Sequence, residues 1–138
     1  MSRLSALYGP DAAFNRMPDF CFCDYAVTDQ GRVVEFVEVK TRKEPHFVVR
    51  GYGGLILKGR KVSEMTILSE STGVPSSIVF AFHNGAGAYY RADPSSLTGK
   101  SGGSPPRRRN YRNLACDEED VLLLDWDNDL TRILDPMP

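Results

Sequence analysis

The stretch VVEFVEVKTRK, Val33 to Lys43, decides how the whole chain is read. Its first residues are apolar and β-branched enough for a buried strand. Yet Glu38 and Lys40 stand where Val or Ile would stabilise a strand more. Side chains alternate along a strand, so Val34, Phe36, Glu38 and Lys40 share one face, and Val33, Glu35, Val37 and Val39 take the other. Glu38 and Lys40 then point the same way, about 6–7 Å apart along the strand. Two charges on one face of a central strand are costly unless they are paired or used. The plain reading is an ion pair on a solvated face, and the apolar neighbours Val34 and Phe36 argue against it. Glu35 faces away and is expected to be solvated or paired with a loop arginine.

Upstream, PDFCFCDYAV alternates large and small apolar groups and predicts a strand after Pro18. TDQGR predicts a tight turn with Gly31 at the positive-φ position, so the two strands are expected to be antiparallel. A hairpin of this kind brings the carboxylate of Asp19, at the start of the first strand, beside Glu38. Asp24 competes for that place. Strand parity puts residues 19, 21, 23 and 25 on one face and residues 20, 22 and 24 on the other, and parity alone does not choose between them; the proline before it favours Asp19, with Asp24 the minor alternative. Two carboxylates converging from adjacent strands repel unless a cation lies between them. Hard oxygen ligands suit Mg²⁺ or Mn²⁺. An ammonium such as that of Lys40 then stands ready for a phosphate oxygen or an attacking water. Such a site suits phosphodiester hydrolysis.

Further along, Asp11 predicts the cap of a short helix to about Arg16, and a short strand is expected through residues 47–49. LKGRKVSEMTILSESTG has helical spacing, with Val62, Met65, Leu68 and Ser69 on one face and Gly73 as the stop. SSIVFAFHN and AYYRA predict two strands joined by a glycine turn. From Pro94 to Asn113 the chain turns to Ser, Gly, Pro and clustered Arg, which predicts a mobile basic loop, at about residues 94–113, rather than a core element. DVLLLDW predicts a strand and DLTRIL a last turn of helix. Lys58, Arg60 and Lys61 crowd a helix start, where cations oppose the dipole. Solvation of that start is the plain reading, and a phosphate contact the functional one. PPRRRNYR is the densest basic run. Arg107, Arg108, Arg109 and Arg112 offer guanidinium forks for phosphates, and Tyr111 a ring for an unpaired base. His46 and His83 are weaker candidates for a site role.

Pro18-Asp19, followed nineteen positions after the Asp by Glu38-Val39-Lys40 within a strand, resembles the PD-(D/E)XK nuclease superfamily. The resemblance spans roughly residues 11–90 and includes the order helix, strand, ExK strand, helix, strand. In size the chain also resembles small phage-type nucleases and archaeal-type Holliday junction resolvases. The resemblance implies an α/β (α+β) fold with a restriction-endonuclease-like core, a mixed central sheet flanked by helices. It implies that Asp19, Glu38 and the Val39 carbonyl hold Mg²⁺ or Mn²⁺. Lys40 would assist the nucleophilic water, and Lys61 on the following helix would touch the phosphate, with Lys58 and Arg60 behind it. The implied activity is a metal-dependent endonuclease acting on DNA, reading strand or branch structure rather than a long sequence. One departure is that no Glu precedes Asp19. That leaves open a non-catalytic nucleic-acid-binding module on the same fold; a phage-encoded protein-interaction factor on the same fold, using the loop at 98–113 on a protein partner, is a third reading.

Bulk properties agree with a single domain over residues 1–138. Its 138 residues carry a formal charge of −1, so a polyanion would have to meet a local basic patch rather than a global field. The three cysteines and the want of a secretory leader in MSRLSALYGPD predict reduced thiols in a cytoplasm, that of a bacterial or phage-infected cell. No apolar run reaches membrane-spanning length, so no membrane partner is expected. A homodimer would let two sites cut two strands.

Overall fold

The structure, a computed structural model, describes residues 8, 10–19, 21–42, 55–82, 89–97 and 121–134. The expected strand at 47–49, both histidines, Cys116 and the arginine run at 105–112 lie outside the described residues.

The chain is α+β. Its elements among the described residues, in order, are β1 (Ala12–Arg16), β2 (Tyr25–Asp29), β3 (Arg32–Arg42), β4 (Leu55–Lys58), α1 (Gly59–Thr72), β5 (Ser76–Phe82), β6 (Tyr89–Ala92), α2 (Pro94–Leu97), β7 (Val121–Leu124) and β8 (Thr131–Leu134). A mixed six-stranded sheet runs β1-β2-β3-β5-β6-β8, and β4 pairs with β7 in a second, two-stranded sheet. The antiparallel pair β2–β3 turns through Gln30 and Gly31, both at positive φ (53° and 80°). A two-residue turn of that hand matches the right-handed twist of the strands it joins. β3 and β5 are parallel. Parallel neighbours need a long crossover, which here includes α1. Strand, ExK strand, helix and parallel strand therefore follow one another in the order expected from the sequence after its first element.

The register of β2 against β3 shifts by one residue. Thr28 pairs with Val33 and Val27 with Glu35, so Val34 is the extra residue of a bulge. A bulge breaks the strict alternation of faces, and Val33 and Val34 are both exposed. Beyond it alternation resumes. Phe36 joins the core under α1, whereas Val37 joins a smaller cluster with Val27 and Val79 on the opposite face.

The main core lies between the sheet and α1. Val62 and Met65 point down onto Phe36, Ile78, Phe80 and Phe82, with Leu68 partly buried and Ile67 outside. β5 is buried along its whole length, as expected of a central strand covered on both faces. Gly73 ends α1 at φ 73° and its N–H donates to the Ser69 carbonyl at 2.8 Å. Met65 has no exposed surface. Met65→Ala is expected to cost about 3 kcal/mol, seen as a lower urea midpoint. A midpoint equal to wild type would mean that α1 does not close the main core.

Four local expectations are corrected. Residues 12–16 form strand β1, not a helix. They pair with β2 over five registered positions, and a five-residue segment has too few helical hydrogen bonds of its own to compete with a ladder. Residues 131–134 are strand β8, paired with β6, rather than helix. The strand expected after Pro18 begins only at Tyr25, with residues 21–24 in a bend. The expected mobile loop does not start at Pro94, because Pro94–Leu97 is a short helix whose Pro94 and Leu97 are buried.

Candidate functional site

β3 is long and central, and its C-terminal half runs past the start of β2. Glu38 and Lys40 lie on the face toward α1. Glu38 is only 7 % exposed, and its Oε2 is 3.2 Å from Lys40 Nζ and 3.5 Å from Lys61 Nζ. A buried carboxylate between two ammoniums has the partners that a buried charge requires.

Lys61 reaches this point because it sits in the first turn of α1. That turn has no acidic residue and no side-chain cap. Its Nζ also donates to the Phe22 carbonyl at 3.0 Å and lies 3.5 Å from Glu64. The ammonium is thereby aimed at the sheet instead of into solvent, which answers why a cation stands at an unfavourable end of the helix dipole. Lys58 is exposed at the N-cap, and Arg60 lies 4.0 Å from Glu64, so neither is shown against Glu38.

Asp19 is exposed, in a turn, ahead of the bend that precedes β2. The carboxylate fastened to β3 is that of Asp24. Its Oδ2 accepts the Val39 N–H at 2.9 Å, and its own N–H donates to the Val37 carbonyl at 3.1 Å. One step beyond the pair Tyr25–Val37, the register sets position 24 across from position 38. The N–H and C=O of one residue in a strand project to the same side, so the Val39 carbonyl faces toward Asp24. Asp24, Glu38 and the Val39 carbonyl thus meet at the start of β2, where β3 runs on past it, with Lys40 and Lys61 beside Glu38.

Cys23 borders the group. Burial pushes its thiol up to about 11, and the Glu38 carboxylate adds to the effect. At neutral pH it is an uncharged packing group and no nucleophile. Cys21 is exposed, so the two thiols do not share a face as an unbroken strand would require.

On the other face of the sheet, Glu35 is buried rather than solvated, and its partner is Arg91 of β6 at 3.3 Å, not a loop arginine. Tyr8 also hydrogen-bonds Glu35, and burial first, then the Glu35 charge, raises its phenol above the usual range. This cluster is separated from Glu38 by the sheet.

Among the described residues no group of three or more His, Cys, Asp or Glu side chains is placed to hold a metal ion. That excludes a cage of side chains there. A hard cation such as Mg²⁺ keeps several waters and takes one or two carboxylates. Two carboxylates and a backbone carbonyl are a donor set of that kind. Among the described residues no helix is long and apolar enough to cross a membrane.

No protein-family model matches the chain, and no curated protein matches it in sequence. Among solved structures it is similar to Hjc, a Holliday junction resolvase from the archaeal hyperthermophile Archaeoglobus fulgidus, with a TM-score of 0.48 and 21% identity. The match covers 67% of this chain and 66% of the resolvase, just under two thirds of that protein's length.

Proposed function

We propose that this chain is a divalent-metal-dependent endonuclease that hydrolyses phosphodiester bonds in DNA. The observation that carries the reading is the buried Glu38 carboxylate, held by Lys40 and Lys61 beside the Asp24 carboxylate on the Val39 amide. A fold that needed only stability would place an apolar side chain at position 38 and avoid the desolvation of four charged groups.

In this reading Asp24, Glu38 and the Val39 carbonyl hold Mg²⁺ or Mn²⁺, with Asp24 in the place the sequence pattern assigned to Asp19. A divalent ion there supplies an acidified water and countercharge for the phosphate. Glu38 and Asp24 fix its place because both are themselves fixed, one by two ammoniums and the other by a backbone N–H. Lys40 is 33% exposed at its side chain, so its ammonium reaches both Glu38 and a molecule arriving from solvent. It orients the attacking water and stabilises charge as it grows. Lys61 is bound at three points and moves less, so it serves as a fixed contact for a phosphate oxygen. The arginine run at 107–109 and 112, with Tyr111, supplies further phosphate and base contacts on the DNA partner.

Incubation of the purified chain with plasmid and with branched DNA, in Mg²⁺, in Mn²⁺ and in EDTA, tests this. Cleavage in either metal and none in EDTA is expected. Salt-dependent binding with no turnover under any metal would instead make the chain a binding module.

A further inference from the structure

Phe22 is the residue of the bend whose exposure the packing does not explain. Phe22 is 38 % exposed, although the next residue, Cys23, belongs to the main core. Its backbone is firmly held. The Phe22 carbonyl accepts from Lys61 Nζ at 3.0 Å, and the same ammonium lies 3.5 Å from Glu38. Two residues on, Asp24 is fastened to the Val39 N–H at 2.9 Å. The ring therefore stands on backbone that is tied to the candidate site through its own carbonyl and through Asp24.

Among the described residues, three other large apolar side chains are exposed. Val33 and Val34 lie at the β3 bulge and Ile67 on the outer face of α1. Scattered aliphatic groups of that kind are ordinary. Phe22 differs in having an aromatic face and in sharing an ammonium with Glu38. An aromatic ring beside a phosphate site is a platform for a nucleobase, and stacking on it tolerates any sequence because every base has a π-face. Inside a duplex that face is already covered by neighbouring pairs, so an unpaired base is the one the ring can take.

We propose that Phe22 is a substrate-contacting residue, stacking on an unpaired base next to the phosphodiester at Asp24 and Glu38. The preferred substrate is then DNA that is branched, frayed or single-stranded at the cut. This rests on the nuclease reading above, so the test reads binding and not cleavage.

The full chain is titrated in EDTA against two fluorescein-labelled DNAs of equal length, a splayed fork with unpaired thymines at the branch and a fully paired duplex. Phe22→Ala is expected to weaken fork binding about tenfold and to leave duplex binding within about twofold. Phe22→Trp is expected to restore fork binding, and the added indole emission to be quenched by the fork and not by the duplex. Equal losses on both DNAs, no loss on either, or an indole indifferent to the fork would overturn the stacking role and leave the nuclease reading intact. A wild-type chain that neither binds nor cuts any DNA would remove both.

Discussion

Asp24→Asn is expected to lower DNA cleavage by about a thousandfold, while Asp19→Asn stays within about twofold of wild type. The two substitutions separate a position named by pattern from one named by geometry. Asparagine has the shape of aspartate, and its Oδ1 can still accept the Val39 N–H that Asp24 Oδ2 now accepts at 2.9 Å. The fold around β2 and β3 should therefore persist, and circular dichroism with thermal melting checks that it does. What is lost is one formal negative charge where a divalent ion is to be held, and a neutral amide oxygen is a weak substitute for a carboxylate. Asp19 is exposed in a turn, where loss of a charge is screened by solvent. Initial rates on a branched substrate in Mn²⁺ give the comparison. An inactive Asp19→Asn beside an active Asp24→Asn would return the site to Pro18-Asp19.

That pair of outcomes also shows where sequence reading stops. The ExK strand was legible because an acid and an amine on one face of an eleven-residue strand cost stability unless they are paired or used. The turn at Gly31 and the helix stop at Gly73 were legible because each needs a backbone conformation that glycine adopts most easily. The placing of Asp24 across from Glu38 was not. A two-residue turn at 30–31, counted back without interruption, pairs residue 24 with residue 37. The bulge at Val34 moves the pairing to 38, and nothing in VVEFVEVK announces it. Strand parity over residues 19–25 does not apply for a related reason, because residues 21–24 form a bend and alternation holds only within a strand. The proline that favoured Asp19 marks the turn before that bend, not the start of a strand. β1, β4 and β8 have four or five residues each. At that length the choice of strand is made by a partner distant in sequence, such as β7 for β4, and local propensity has little say. Lys61 was legible as a candidate because three cations at a helix start oppose the dipole. Its tie to the Phe22 carbonyl could not be read from composition.

Glu38→Gln is expected to lower cleavage by a further large factor, about a thousandfold or more, yet to leave the melting temperature within about 3 °C of wild type. Two terms oppose each other in the folded protein. The carboxylate gains attraction from Lys40 at 3.2 Å and Lys61 at 3.5 Å, but it gives up hydration in a site where it is only 7 % exposed. For buried ion pairs these two contributions are of similar size. Glutamine removes both and keeps the volume, and its Oε1 can still accept from one ammonium. Lys40 is partly in solvent and can turn outward, so the second ammonium is not trapped without a partner. Function has no such compensation. The charge that orients both lysines and anchors a divalent ion is gone, so calorimetric titration with Mn²⁺ should show the heat of the wild-type site abolished. The combination is diagnostic, because a residue kept for stability would lose stability when neutralised. A variant that melts far below wild type but still cuts within about tenfold of it would make Glu38 a structural ion-pair member and would leave the endonuclease reading without its central group.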